Sequence, residues 1–510
     1  MEQPNQACYH KLVEGWKEAV MLWNLKSILE WDSKSNMPRG GYNQRGEEMA
    51  SLAATIQRTW MNEETEHMLR EAERPENLDT LDQIQRRNLF LIRHEYEKDA
   101  KVPEELARKR QKQAAMASNA RLKAKKEGTW SPFEDEFKGM FMIEKEIAAY
   151  HAESMGLDTL YDALLDRYQR GIRTDDLTAL LKELVNSVSP LAKKYAILSK
   201  EVETDFMDRS VDIELQKRIV RHLANFVGYD LESESAFGIL GESEHPFTMG
   251  LYDDVRILVK YEENRFQTSI MSFLHESGHA LYNRHLNTEW KYEPVGYHAG
   301  SAVTESQARL IENIIGRSLE FWEYFLPILN NMANGLFENI SVADFTKAVN
   351  PVQLQPLRVY ADELTYNMHI AIRFEIERSL FAEEIDASEI PSVWNELYQK
   401  YLGVEVKNDG EGALQDPHWA IGMFGHFPTY SLGNVISAQI IEAMEKDFPE
   451  WRLKLASGDI SKILDWMRGR IYLVGRLYDL PELMNHVTGK GLSAKPYIKY
   501  LTHKYSVLYS

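Results

Sequence analysis

His275-Glu276-Ser277-Gly278-His279 sets two imidazoles and a carboxylate within five consecutive residues. On a helix, positions four apart share a face, so His275 and His279 can reach one metal ion together. Glu276 lies one step around, where its carboxylate reaches a water beside that ion and serves as general base. That spacing points to metal-assisted hydrolysis. With 15 His in 510 residues, about 0.04 matches are expected by chance, so the pattern favours a metal centre but needs a third ligand. Glu305 is the candidate, after a loop containing Pro294, Gly296 and Gly300 that can return a second helix across the first. Two His and one Glu form a catalytic zinc set with its fourth position open to water or substrate. An ordinary helix-surface carboxylate is the competing reading of Glu305.

The elements that must position these groups read as helices almost throughout. Met271, Leu274, Gly278 and Leu281 form an inward stripe under the motif. Gly278 costs a helix about 1 kcal/mol relative to alanine, so its presence predicts close packing there. Amphipathic stretches are predicted over 9–31, 43–73, 78–99, 103–127, 133–155 and 175–205, and again over 341–349, 358–380, 387–402, 433–445 and 459–477. Met37-Pro38-Arg39-Gly40-Gly41 breaks the first of them. The departure is 253–261, where Val255, Ile257, Val259 and Tyr261 alternate with Arg256, Leu258 and Lys260. That pattern predicts a half-buried strand with Leu258 on its outer face. As an edge strand it would pair with an extended peptide; as a small structural hairpin it would only pack. The predicted fold class is all-α with a small β-sheet beside the site.

A formal charge of −19 argues against nucleic-acid binding. Arg108, Lys109, Arg110, Lys112, Arg121, Lys123, Lys125 and Lys126 run together without an intervening acid, but no aromatic residues interleave with them, and a solvated helix face is the simpler reading. No apolar run is long enough to span a membrane. Residues 1–6 lack the basic and apolar regions of a signal peptide, and Cys8 is the lone cysteine. A cytoplasmic protein without intrachain disulfides is expected.

Two further clusters remain. Arg358 and Asp362 stand four apart, a natural helix ion pair. Gly412–Trp419, followed by Gly425-His426-Phe427-Pro428-Thr429-Tyr430, gathers polar side chains in a setting that also suits a structural loop.

The chain resembles the thermostable-carboxypeptidase (carboxypeptidase Taq) family over essentially its full length. The resemblance runs through Trp31-Asp32 with Met37-Pro38, His245-Pro246-Phe247, Asp254-Val255-Arg256, His275–His279, Glu305-Ser306-Gln307, Arg358 with Ala361-Asp362, and Gly412–Trp419. It implies one domain over residues 1–510, two helical halves flanking a deep substrate groove as in the neurolysin and angiotensin-converting-enzyme group, and a homodimer. It implies one divalent metal per chain on His275, His279 and Glu305, zinc first with cobalt or manganese as alternatives, and Glu276 as catalytic base. It implies that Arg256 and Arg358 hold the substrate's free C-terminal carboxylate, as guanidinium forks do. His245, His418 and Tyr430 match positions lining the site, the last two as donors to the tetrahedral oxyanion. Two positions depart: Thr304 stands where the family usually has His, and Leu258 where it has Thr.

The reading is a metallocarboxypeptidase acting on peptides through a metal-activated water. The rivals are an endo-acting zinc oligopeptidase and a catalytically weak peptide-binding member. The two departures predict an active enzyme with a lower rate or a shifted side-chain preference.

Overall fold

In the computed structural model, which describes residues 6–510, helices make up most of the molecule. The first five residues, on which part of the leader expectation rests, lie outside the described residues. Among the described residues no helix is long and apolar enough to cross a membrane. The first helix runs from Ala7 to Ser35 and stops where Met37-Pro38 was expected to stop it. The stretch predicted as one helix over 43–73 is two, Tyr42–Trp60 and Glu63–Ala72. Asn62 separates them: its side chain accepts from the Thr65 amide, a cap that satisfies a free helix-end donor.

The apolar residues gather in two clusters. A smaller one joins Trp16, Val20, Trp60 and Leu89 from the amino-terminal helices. The larger one occupies the rest of the chain, and Tyr292 packs against both.

Three strands form a single sheet: β1 (Gly238–Glu242), β2 (Phe247–Leu251) and β3 (Asp254–Val259), in the order β1-β3-β2. The expected edge strand is therefore the central one. β3 pairs parallel with β1 and antiparallel with β2, and β2 keeps an edge unpaired within the sheet. Leu258 is also not outward-facing: it is fully buried, and a Cβ added at its partner Gly241 would meet Leu258 and Trp31. The first helix covers that face of the sheet, which explains why an apolar side chain stands there.

The helix predicted to start at 358 starts at Tyr366 and ends at Phe381. Arg358–Tyr360 is a short 3₁₀ turn. Asp362 makes no pair with Arg358; it accepts from the amides of Leu364 and Thr365 and from the Thr365 hydroxyl, closing a turn ahead of the helix. The basic helix Glu104–Glu127 is not purely solvated either, because Arg110 pairs with buried Glu144 and Arg121 donates to the Leu414 carbonyl.

Candidate metal centre

The motif helix spans Gln267–Arg284 and the Glu305 helix Ser301–Arg309. They cross at Gly278, where a Cβ would come within 2.4 Å of the Gln307 carbonyl oxygen and 2.5 Å of the Ala308 Cα. Only glycine allows that approach, and the approach carries Glu305 under the two imidazoles. A second glycine, Gly433, lies against the other side of Glu305, where a Cβ would stand 2.5 Å from its Cγ. The carboxylate is wedged between helices.

Glu305 Oε2 lies 3.9 Å from His275 Nε2 and 3.8 Å from His279 Nε2. Bonds of about 2.0–2.2 Å to zinc span donor atoms up to about 4 Å apart, so the three atoms can share one ion. The remaining atoms of the cluster are largely committed. His275 Nδ1 sits 3.0 Å from Glu312, and Arg309 Nε donates to Glu305 Oε1 at 2.7 Å. These contacts orient the His275 ring and the Glu305 carboxylate for ligation, whereas His279 Nδ1 is buried without a hydrogen-bond partner.

Glu312 reaches His275 through a local irregularity. The Glu305 helix continues as a π-helical segment, Leu310–Ile315. Wider turns of this kind shift side chains out of the regular helical face and occur often at functional sites. Arg309 and Glu312 were not singled out in the sequence, although their spacing of four and seven from Glu305 placed them on its face of the helix.

Glu276 points into the same cavity. Thr248 on β2 donates its hydroxyl to Glu276 Oε2 at 2.7 Å and to the Glu276 backbone carbonyl at 2.9 Å. Burial pushes the Glu276 carboxyl up, against the opposing pull of His275 and Thr248. Burial would also raise Glu305, but Arg309 and the two imidazoles hold it below its ordinary value. His279 is pushed down to about 4 by burial and by His275. Thr248 was another residue missed in the sequence; only its place just after His245-Pro246-Phe247 hinted at it.

A cavity of about 520 Å³ opens over these groups. His275, Glu276, His279, Glu305, Thr304 and Tyr430 line it, together with β2 from Phe247 to Leu251. His418 stands behind Tyr430, with Nε2 3.4 Å from the phenol oxygen. The other candidates lie farther out. Arg256 pairs side-on with Asp254 through Nε and Nη2 and lies over the Trp31 ring at 5.2 Å. Arg358 pairs with Asp416 at 2.7 Å, donates to the Tyr366 hydroxyl at 3.1 Å and approaches the Tyr430 ring at 5.4 Å. His245 is exposed in the turn before β2, where its carbonyl accepts from Ser243.

With this geometry in place, comparison with known proteins settles the lineage. Residues 11–505 match the model of the carboxypeptidase Taq (M32) metallopeptidase family. The chain is 35% identical to thermostable carboxypeptidase 1 of Thermus thermophilus, covering 99% of both chains. It is 32% identical to carboxypeptidase 1 of Bacillus subtilis, covering 98% of this chain and 97% of the relative. The solved M32 carboxypeptidase of Deinococcus radiodurans superposes with a TM-score of 0.93 at 29% identity, covering 98% of this chain and 99% of that one. A donor set suited to a divalent metal, on a helical frame shared with these enzymes, places the chain in the carboxypeptidase Taq (M32) family as a metallocarboxypeptidase, a hydrolase of peptides.

Proposed function

We propose that the chain removes single residues from the free C-terminus of peptides, with Glu276 as general base. The observation that carries this reading is the convergence of His275, His279 and Glu305 beside a buried carboxylate in one cavity. One divalent ion on these residues, zinc in the first instance, would supply Lewis acidity to the scissile carbonyl and lower the pKa of a water.

Glu276 takes the proton of the attacking water and returns it to the leaving amine. Thr248 holds that carboxylate toward the cavity. The Tyr430 hydroxyl donates to the oxyanion, with His418 behind it. His418 is neutral in this role, since burial pushes it down to about 3. The free edge of β2 lines the cavity and offers backbone groups to an extended peptide. The expected strand-pairing role thus falls to β2 in place of β3.

Arg256 and Arg358 receive the C-terminal carboxylate. Each guanidinium is held through Nε and Nη2 by an aspartate, which fixes its plane and turns Nη1 away from the pair. His245 belongs to the rim. The single chain of two helical halves, its homodimer and its cytoplasmic location are parts of the same proposal. They rest on the family resemblance, and a lone cysteine suits a reducing compartment.

The metal assignment is checked by elemental analysis and calorimetry. One ion per chain is expected, chelation abolishes hydrolysis, and zinc or cobalt restores it. Saturating ion at a thousand times its Kd adds about 4 kcal/mol of stability, so the chelated protein melts at a lower temperature. An unchanged melting curve would count against a site in the folded chain.

Carboxylate recognition is checked with free and amidated peptides. Arg256→Ala lowers kcat/KM on the free acid by about 10- to 150-fold. Amidating the substrate does comparable damage and adds little once the guanidinium is gone. Arg256 is the cleaner target, because the side chain of its partner Asp254 is open to solvent, whereas removing Arg358 also disturbs the buried Asp416–Arg373 pair. Equal cleavage of free and amidated peptides at an internal bond supports the endo-acting alternative. Metal-loaded protein that cleaves no C-terminal residue supports the peptide-binding one.

A further inference from the structure

A second cavity, of about 410 Å³, adjoins the first and shares with it Asn24, Ser27, Leu251, Tyr297, His298 and Ser301. It extends away from the arginines, and two helices show this independently. Along the first helix, Trp16, Val20 and Trp23 face the second cavity, Asn24 and Ser27 lie at the junction, and Trp31 lies against Arg256. Along the Glu305 helix, Ser301 lines both cavities, Glu305 follows, and Arg309 lies over Tyr366, the residue that Arg358 contacts. The order is therefore second cavity, metal cluster, arginines. A peptide whose terminal carboxylate meets the arginines places the residues before its scissile bond in the second cavity.

The lining of that cavity carries an excess of positive charge in a chain of net charge −19. Glu95 is shared by Arg476 at 2.6 Å and Lys98 at 3.2 Å. Arg167 pairs at 2.6 Å with Glu144, which Arg110 also contacts. Each carboxylate thus answers two cations. Lys26 also lines the cavity and has no acidic partner among the described residues. Glu293, the other acid of the wall, faces Lys17 at 3.4 Å. At the junction His298 is neutral, pushed down to about 3 by burial and Arg476, and its Nδ1 is buried without a hydrogen-bond partner.

We propose that this second cavity is an upstream subsite that selects peptides with acidic side chains before the scissile bond, through Arg476, Lys98, Arg167 and Lys26. The proposal rests on the carboxypeptidase reading for the direction in which the peptide lies. The surplus charge sits in a partly enclosed wall where attraction is stronger than in open water. The net charge of −19 repels such peptides at long range, so the selection rests on the local contacts inside the groove.

The test uses amino-acylated tetrapeptides that share the same last two residues and carry Asp, Ala or Lys at the two positions before them. Hydrolysis is followed on the metal-loaded protein, and binding of the same peptides on the chelated protein is followed by calorimetry. The aspartate peptide is expected to exceed the lysine peptide about tenfold in both kcat/KM and affinity. The ratio falls with rising salt, because the contacts are ionic. Lys26→Glu, at a position with no ion pair to break, and Arg476→Gln, which leaves Glu95 its Lys98 partner, each shrink the ratio. Equal binding and equal hydrolysis of the three peptides would overturn the proposal while leaving the carboxypeptidase reading intact. Absence of hydrolysis with the tenfold binding preference retained would sink the carboxypeptidase reading and keep the cavity as an anionic-peptide site.

Discussion

Glu276→Gln is expected to lower kcat by about 10²–10⁴-fold while the protein still binds one metal ion per chain. The amide is the same size and keeps an oxygen for the Thr248 hydroxyl, which donates to Glu276 at 2.7 Å in the native chain. What it loses is the basic carboxylate that takes a proton from water and carries it to the leaving amine. Burial already pushes the native carboxyl above its ordinary value. KM should change little, because the substitution leaves the cavity wall and the arginines in place. Steady-state kinetics with metal analysis on the same sample separates the cases. Near-native kcat with full metal content would remove Glu276 from the role of base.

The second large effect concerns stability. Asp416 is 8% exposed in its side chain and joins two guanidinium groups, Arg358 at 2.7 Å and the fully buried Arg373 at 2.6 Å. Asp416→Ala leaves Arg373 with its charge buried and unanswered, which costs about 3–5 kcal/mol. The same pair of guanidiniums outweighs burial and holds the Asp416 carboxyl well below the usual carboxylate range. Its pKa in the unfolded chain is about 3.9, so its contribution is complete above about pH 5. That contribution is lost as the pH falls through the unfolded value toward the depressed native one. Thermal unfolding should therefore show a lower midpoint for Asp416→Ala at pH 7 and a shallower further loss between pH 5 and pH 3. Parallel curves for the two proteins over that range would mean that the triad carries no pH-linked stability.

That triad also marks where the sequence stopped being legible. Arg358 and Asp362, four apart, invited a helical pair, yet the true partner of Arg358 lies 58 residues away. Nothing local announces such a contact. A local signal did exist in Asp362-x-x-Thr365, whose side chains close a turn that starts the helix at Tyr366. The strand at 254–259 was found but misplaced in its sheet. Its near-continuous apolar run, broken only by Arg256, belongs to a strand covered on both faces, while β1, Gly238-Ile239-Leu240-Gly241-Glu242, has too weak a pattern to announce itself. By contrast, the spacing of His275 and His279 and the oddity of Gly278 in mid-helix were readable, because helical period and glycine sterics are local. The buried partners of the cluster, Glu312 and Thr248, depended on a π-helical segment and on strand register, which only the folded chain supplies.

The crossing at Gly278 bears on how the site would meet different ions. Backbone rests on backbone there, so the two helices can neither close further nor be levered apart by a side chain changing rotamer. The aperture among His275, His279 and Glu305 therefore rests on a rigid main-chain frame, with the Glu312 and Arg309 contacts orienting its donors. Zinc, cobalt and manganese would enter the same rigid opening. Exchange among them would alter bond strength and acidity without moving the scaffold, leaving the groove walls and the placement of a peptide within them the same for each.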